Sequence, residues 1–469
     1  MIRFGTGGWR AIIGDGFTKA NVQLLCTALA RMMQDKGAQM SICIGFDRRF
    51  LSRQAAVWAA EALAGEGVFC RVLDREAPTP LIMFTVKQYG LDYGIAVTAS
   101  HNPALYNGIK VFTAGGRDAD EQTTGEIEKY IGLLENQRIK VLPYDEAKSQ
   151  GLVVEINPLN DYIDSILSMI DTESIKQRRL KVVLDPMYGV SQTSLRTILL
   201  TARCEVDVIH ERHDTLFGGR LPAPNVKTLN GLSQFVTENK CDLGIATDGD
   251  ADRIGVIDES GAFLHPNKLL VLLYYYLLKY RKWHGPVVRN NSTTHLLDRV
   301  AQGFGETCYE VPVGFKHISL KMEQSDAVIG GESSGGLSVR GHIKGKDGIY
   351  AAVLLIEMMA VTRKKLSELY REITDKYGEV FQADAEVQLD ERLRQTLKDR
   401  LFVDKLLPRF VHPVKSVSYL DGCKVNFENG GWVVVRFSGT EPLLRICAEM
   451  QTKQKAKELV HAFREFLNV

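Results

Sequence analysis

Ser100 follows a short apolar run and is followed by His101-Asn102-Pro103, with Tyr106-Asn107-Gly108-Ile109-Lys110 close behind. Taken alone, a serine in that setting is a turn or capping residue. Beside His101 and Lys110 it has a second reading, an exposed hydroxyl flanked by groups that move a proton or neutralise phosphate, as a weak nucleophile requires. Asp248, Asp250 and Asp252 occupy alternate positions of Thr247-Asp248-Gly249-Asp250-Ala251-Asp252-Arg253. They form either a solvated acidic turn or, since that spacing suits a hard oxygen-seeking cation, a Mg2+ site. Glu259 falls at the twelfth position of an EF-hand loop. Arg253, however, occupies the place that requires glycine, and the flanks read as strands rather than helices, which excludes that motif.

Four further turns carry polar groups. Gly331-Glu332-Ser333-Ser334-Gly335-Gly336 sets a carboxylate and a hydroxyl on a bend that glycine permits, suited to vicinal sugar hydroxyls, although such turns are also common as plain loops. Arg436-Phe437-Ser438-Gly439-Thr440-Glu441-Pro442, with Arg445 just beyond, offers backbone N–H groups, hydroxyls and guanidiniums that suit a phosphate dianion. The alternative is a structural turn whose arginines face water. Gly5-Thr6-Gly7-Gly8-Trp9-Arg10 and Gly314-Phe315-Lys316-His317 add cationic turns that are either structural or part of the same cleft.

The elements that must carry these loops repeat. Ser41 to Gly45, Lys181 to Leu184 and Pro286 to Val288 each read as a strand running toward a serine (Ser52, Ser191, Ser292) able to cap the next helix. Each is followed by a second strand (Val68 to Leu73, Cys204 to Ile209, Cys308 to Val311), a helical pattern and a third strand ending at one polar loop. Ligands of open α/β sheets gather outside the carboxyl ends of strands, so the three loops can face one cleft. After Arg363 the pattern becomes strand-like at Val380 to Val387, Lys415 to Leu420 and Trp432 to Phe437, then helical at Gln454 to Leu467. The expected fold is α/β, three related α/β domains (1–147, 148–258, 259–372) plus a C-terminal α+β domain (373–469). Linkers are expected near 148–151, 258–261 and 374–378.

Composition narrows the function classes. At 469 residues the chain exceeds the roughly 250–300 residues of a single core. With 58 basic against 57 acidic residues it lacks the field that holds a nucleic acid or an anionic membrane. Leu269 to Leu278 is the longest apolar run, too short to span a bilayer, where about 20 residues are needed, and is expected to be a buried helix. The start of the chain lacks a secretory pattern and the eight cysteines are dispersed, so a reduced, cytoplasmic protein is expected.

Taken together, TASHNP at Ser100, DGD-x-DR at Asp248 to Arg253, GE-x-SG at Glu332 and SGTEP at Ser438 resemble the α-D-phosphohexomutase family across the whole chain. The resemblance implies four domains around a central cleft. It implies a phosphohexomutase that moves phosphate between O1 and O6 of a hexose through phosphoserine and a hexose 1,6-bisphosphate, which serves as activator and intermediate. By it, Ser100 is the phosphoryl carrier, Asp248, Asp250 and Asp252 hold Mg2+ with the phosphorylated Ser100, and Arg10, His101, Lys110 and Arg253 surround the transferring group. Glu332 and Ser334 would bind sugar hydroxyls. Arg436, Ser438, Gly439 and Thr440 would grip the other phosphate, with Lys316 assisting, and the reading of the turn adds Arg445 to that set.

Where several bacterial dual-specificity members carry a histidine after GE-x-SG, this chain has Gly336, and His342 comes later. Its opening also departs from the FGTDGIRG of phosphoglucosamine mutases, which favours glucose or mannose phosphates, and the run Gly335-Gly336-Leu337-Ser338 with Lys346-Asp347-Gly348 looks more like phosphoglucomutases. The expected partner is a small phosphosugar, with no nucleic acid or membrane, for a monomer or homodimer. The alternatives are a phosphoglucosamine mutase, a hexose bisphosphate synthase, and a non-catalytic sugar-phosphate binder on the same fold.

Overall fold

The strand Ser41–Phe46 is buried at every position, as a strand with parallel neighbours and covered faces must be. In the computed structural model, which describes residues 2–5, 7–135, 137–438 and 443–468, it lies between Phe69–Leu73 and Tyr93–Val97, parallel to both. Tyr93–Val97 then pairs antiparallel with Tyr106–Thr113, which carries Trp9–Ile12 on its other edge. The turn from 98 to 105 is therefore held between two paired strands, with Arg10 opposite Gly108. A Cβ at Gly108 would come within 2.1 Å of the Trp9 carbonyl oxygen, so only glycine permits this pairing. The sheet has seven strands and reaches Val153–Ile156, past the 1–147 segment expected from the sequence. Helices Lys19–Asp35 and Ser52–Gly65 bury an apolar face in the core around it.

The second repeat centres on Lys181–Asp185, parallel to Glu205–Val208 and Leu243–Thr247. Ile254–Ile257 returns antiparallel beside Leu243–Thr247, and Phe263–Leu264 pairs with it in turn. The 258–261 stretch expected as a linker is the turn of that last hairpin, with Asp258 Oδ1 accepting from the backbone of Ser260 and Ala262. The other two linker expectations fall on the ends of helices Tyr144–Ser149 and Leu366–Tyr377. In the third repeat Val287–Asn290 lies between Cys308–Val311 and Ile329–Gly331, all parallel. The fourth sheet is antiparallel, in the order Phe381–Gln388, Leu443–Met450, Trp432–Phe437, Cys423–Phe427, Val414–Ser418. Helix Lys453–Leu467 packs its apolar face into that sheet's core. The apolar run at Leu269 to Leu278 is buried within helix Pro266–Lys279, and none of the described helices is long and apolar enough to cross a membrane.

None of the three serines caps a helix through its side chain. Ser52 Oγ donates to Asp47 Oδ1, Ser191 Oγ accepts from Thr247, and Ser292 Oγ donates to Asn290 Oδ1. A polar group buried beside each strand end takes the hydroxyl, and satisfying that group outweighs capping. The chain folds as two compact units, Met1–Leu269 with Ser334–Glu368, and Leu270–Ser333 with Leu369–Val469.

Within the second unit a polar seam joins the third repeat to the fourth sheet. Lys424 Nζ donates to Glu310 Oε2 (2.5 Å), to the Asn291 carbonyl (2.8 Å) and to His295 Nε2 (3.0 Å), while Arg289 binds both Glu310 and Asp298. Burial, with Arg289 and Lys424 alongside, pushes His295 from 6.5 down to about 4 despite Glu310. The unfolded chain therefore binds a proton at this histidine that the folded chain refuses, and stability falls as pH drops from 6.5 to about 4. The loss should be on the order of 3 kcal/mol. His295→Gln, which keeps an acceptor for Lys424, should flatten the pH dependence of denaturant unfolding across that window. Parallel curves for the two proteins would disprove the assignment.

Candidate active site

Ser100 lies within the turn after Tyr93–Val97 with φ 52°, a left-handed conformation that costs an L-residue roughly 1–2 kcal/mol. It is 1% exposed, not the exposed hydroxyl expected from the sequence. The turn aims Oγ inward, where it donates to Asp248 Oδ2 at 2.7 Å with His101 Nδ1 at 3.2 Å. The aspartate loop meets it from the second repeat, between the antiparallel strands Leu243–Thr247 and Ile254–Ile257. A Cβ on Gly249 would stand 2.7 Å from the Ser100 carbonyl oxygen, so this close approach requires glycine.

All three aspartates are buried, with one ligand atom of each within 4.8 Å of the others. The carboxylates thus repel one another without solvent to screen them, and cations answer. Lys110 Nζ donates to Asp250 Oδ2 and Asp252 Oδ2, both at 2.6 Å. Lys346 Nζ lies 3.0 Å from Asp252 Oδ2, and Thr79 Oγ1 donates to Asp250 Oδ2 at 2.7 Å. Burial, with Asp250 and Asp252 beside it, holds Asp248 well above the usual carboxylate range. For Asp252 burial is outweighed by Lys110, Lys346 and Arg253, which hold it well below.

Two oxygens stay unsatisfied: Asp250 Oδ1 and Asp252 Oδ1 are buried and accept no hydrogen bond among the described residues. An orphaned buried acceptor costs about 1–3 kcal/mol. With Asp248 they make an all-oxygen donor set that fits a hard divalent cation such as Mg2+.

Arg10 and Arg253 complete the cationic surroundings. Arg10 Nη1 donates to Asn102 Oδ1 at 2.5 Å, and the Arg253 backbone N–H donates to Asp248 Oδ1 at 3.0 Å. The field of Arg253, then burial and Arg10, holds the His101 imidazole well below its ordinary value. It is therefore a neutral proton acceptor near pH 7.

Arg10, Ser100, His101, Lys110, Asp248, Asp250, Asp252 and Arg253 are thus brought together in the first unit, to which Ser334 also belongs. Lys316, Glu332, Arg436, Ser438 and Arg445 belong to the second. There Asp421 Oδ2 accepts from Arg436 Nε and from the Val313 N–H, both at 2.8 Å, tying the arginine to the turn before Lys316. Arg436 and Arg445 face each other across paired strands, with Arg445 Nε 3.1 Å from Glu386. Asn290 Nδ2 donates to Glu332 Oε2 at 3.4 Å. Gly439 and Thr440 lie outside the described residues.

Sequence reading gave no role to Thr79, Lys346, Asp47 or Arg49. Asp47 and Arg49 follow Ser41–Phe46 directly, and the rule that ligands gather at carboxyl ends of strands would have found them. His342 is no stand-in for the missing loop histidine. It is buried against Asp347 at 2.6 Å, and Asp347 also accepts from Tyr162 and caps helix Gly348–Thr362.

Four family models match the chain: phosphoglucomutase/phosphomannomutase α/β/α domain I over residues 1–138, domain II over 160–261, domain III over 265–377 and the C-terminal domain over 360–466. A phosphoglucomutase/phosphomannomutase of Thermococcus kodakarensis is 30% identical, over 97% of this chain and 96% of its own length. A phosphoglucosamine/phosphogalactosamine mutase of Sulfurisphaera tokodaii is 29% identical, over 99% and 98%. The crystal structure of a Thermus thermophilus protein assigned as a phosphomannomutase superposes with a TM-score of 0.86 at 30% identity, covering 100% of this chain and 99% of that one.

The two orphaned oxygens generate a binding prediction that needs no turnover. Mg2+ at about 100 times its dissociation constant should stabilise the protein by about 2.7 kcal/mol, read as a higher unfolding midpoint. Asp250→Asn should lose most of that rise, and should start lower without metal because Asp250 also anchors Thr79 and Lys110. No rise in the wild-type protein would remove the metal assignment.

Proposed function

The chain belongs to the phosphoglucomutase/phosphomannomutase family of intramolecular phosphotransferases, and from that premise we propose that it interconverts glucose 1-phosphate and glucose 6-phosphate through phosphorylated Ser100. The observation that carries this reading is Ser100 Oγ bonded at 2.7 Å to a buried aspartate of an all-oxygen cluster, with cationic side chains around it.

With a phosphoryl group on Ser100, the free hydroxyl of the bound sugar phosphate attacks phosphorus and the bond to Oγ breaks. The hydroxyl's proton passes by way of His101 Nδ1 to the serine oxygen, leaving a hexose 1,6-bisphosphate. After the bisphosphate turns around, Ser100 Oγ attacks its other phosphate, the bond from that phosphorus to the sugar oxygen breaks, and the serine proton passes by way of His101 to the departing sugar oxygen, so that the product sugar phosphate leaves and the phosphoserine is restored. Uncatalysed phosphate monoester cleavage is among the slowest of reactions, and positioning with charge neutralisation supplies most of the acceleration. Mg2+ held by Asp248, Asp250 and Asp252 would neutralise charge on the transferring phosphoryl oxygens. Arg10 and Arg253 would do so from the protein side, while Lys110 keeps Asp250 and Asp252 ionised. Burial of Ser100 would limit loss of its phosphate to water. In the second unit Arg436, Ser438 and Arg445, with Gly439 and Thr440, would grip the phosphate that is not moving. Glu332 and Ser334 would bind sugar hydroxyls and Lys316 would assist.

Among relatives of similar identity several are named phosphoglucosamine mutases, which makes glucosamine phosphate the second reading. A coupled assay comparing glucose, mannose and glucosamine 1-phosphates separates the two. The highest kcat/KM is expected for glucose 1-phosphate, with about tenfold or more discrimination against the amino sugar, since a site built for a hydroxyl leaves polar groups unpaired around an ammonium. Preference for glucosamine 1-phosphate would replace the glucose reading, and turnover of none of the three would favour a binding protein.

A further inference from the structure

We propose that the buried ion pair Asp47–Arg49 is the positioning device for the phosphoryl-carrying serine, a role that rests on the reading of Ser100 given above. One guanidinium gathers four carbonyl oxygens of the serine turn. Arg49 Nη2 donates to Ser100 O at 2.6 Å and Asn102 O at 2.7 Å. Its Nη1 donates to Pro103 O at 2.9 Å and Tyr106 O at 3.0 Å. The Ser100 N–H, for its part, donates to Thr98 Oγ1 at 2.9 Å, and that hydroxyl donates to Asp47 Oδ2 at 2.6 Å. Asp47 Oδ2 lies 3.4 Å from Arg49 Nε. Both backbone polar groups of Ser100 therefore lead back to one carboxylate–guanidinium pair.

The pair is itself fixed. Asp47 Oδ1 accepts from the Arg49 N–H and from Ser52 Oγ, where the central strand passes into its helix. Phe217 of the second repeat covers the guanidinium, 4.9 Å from ring centre to Cζ. The same ring lies 3.5 Å from the Cβ position of Gly249 in the aspartate loop. Arg49 thus sits between the turn that holds the nucleophile and the loop that would hold the metal.

Burying such a pair costs several kcal/mol in lost hydration, and apolar packing of equal volume generally serves stability as well. What apolar side chains cannot do is satisfy four converging carbonyls and keep a serine in the left-handed region at φ 52°. That conformation aims Oγ at Asp248. A displacement of about 1 Å in such a group is enough to cost on the order of 100-fold in rate.

Arg49→Lys keeps the charge but loses the planar fork, and Thr98→Val keeps the shape while freeing the Ser100 N–H. Circular dichroism gives the folded fraction, and quenched-flow transfer of phosphate from glucose 1,6-bisphosphate to Ser100 gives the rate per folded molecule. Arg49→Lys should lose roughly 10- to 100-fold in that rate and in kcat, with KM for glucose 1-phosphate within about twofold of wild type. Thr98→Val should fall in the same direction by a smaller factor, and decides the matter if the lysine variant does not fold. Wild-type transfer rates in the folded variants overturn the proposal, as does a loss confined to KM or proportional to the unfolded fraction. If the wild-type protein accepts no phosphate from the bisphosphate, the role of Ser100 fails first and the positioning role with it.

Discussion

Three carboxylates sharing a buried pocket repel one another strongly, because the low dielectric that strengthens attraction strengthens repulsion equally. Asp248, Asp250 and Asp252 are buried together in this chain, so the surrounding fold must answer that repulsion. Lys110 comes from a strand of the first repeat, and Lys346 from the segment before helix Gly348–Thr362. Thr79 adds a hydroxyl, and its N–H also binds the Asp250 carbonyl at 2.9 Å. Packing of the first repeat against the second is thereby written into the electrostatics of one loop. The oxygens that accept no hydrogen bond among the described residues, Asp250 Oδ1 and Asp252 Oδ1, are the part of the cluster suited to a cation.

The same constraint shapes Ser100, the proposed phosphoryl carrier. A serine in an ordinary extended turn would present its hydroxyl to solvent, where water is a competing phosphoryl acceptor. The left-handed turn at Ser100 instead sends Oγ to Asp248, and Gly249 permits the backbones to come close enough for that contact. Strain at one residue is held by hydrogen bonds from many, as is common where function needs a conformation the chain would not choose unaided.

Local chemistry was legible in the sequence because it resides in contiguous residues. Ser100-His101, the aspartate triplet and the strands that precede them could be read from spacing and apolar runs, and Cys308–Val311 and Trp432–Phe437 form at the expected bounds. Burial was not legible: polar stretches rich in glycine and aspartate look like surface turns, yet Ser100 and all three aspartates lie inside. Partners from distant segments were equally hidden: nothing near Lys346 in the chain announces Asp252, and the strand end that marks Arg49 as near the site does not announce its bonds to the serine turn. The serines taken as helix caps show how a tertiary partner redirects a side chain whose local preference is clear. Strands Cys423–Phe427 and Leu443–Met450 carry no expectation in the sequence because charged residues, Lys424, Arg445 and Glu449, interrupt their apolar pattern.

The central claim is that phosphate reaches the sugar from Ser100 and returns there. Enzyme carrying radiolabelled phosphate on Ser100, mixed with unlabelled glucose 1-phosphate in a single turnover, tests it directly. The label should leave the peptide containing Ser100 and appear in hexose bisphosphate at least as fast as glucose 6-phosphate forms. Glucose 6-phosphate forming while the label stays on the protein, or label residing on a residue other than Ser100, would contradict the account.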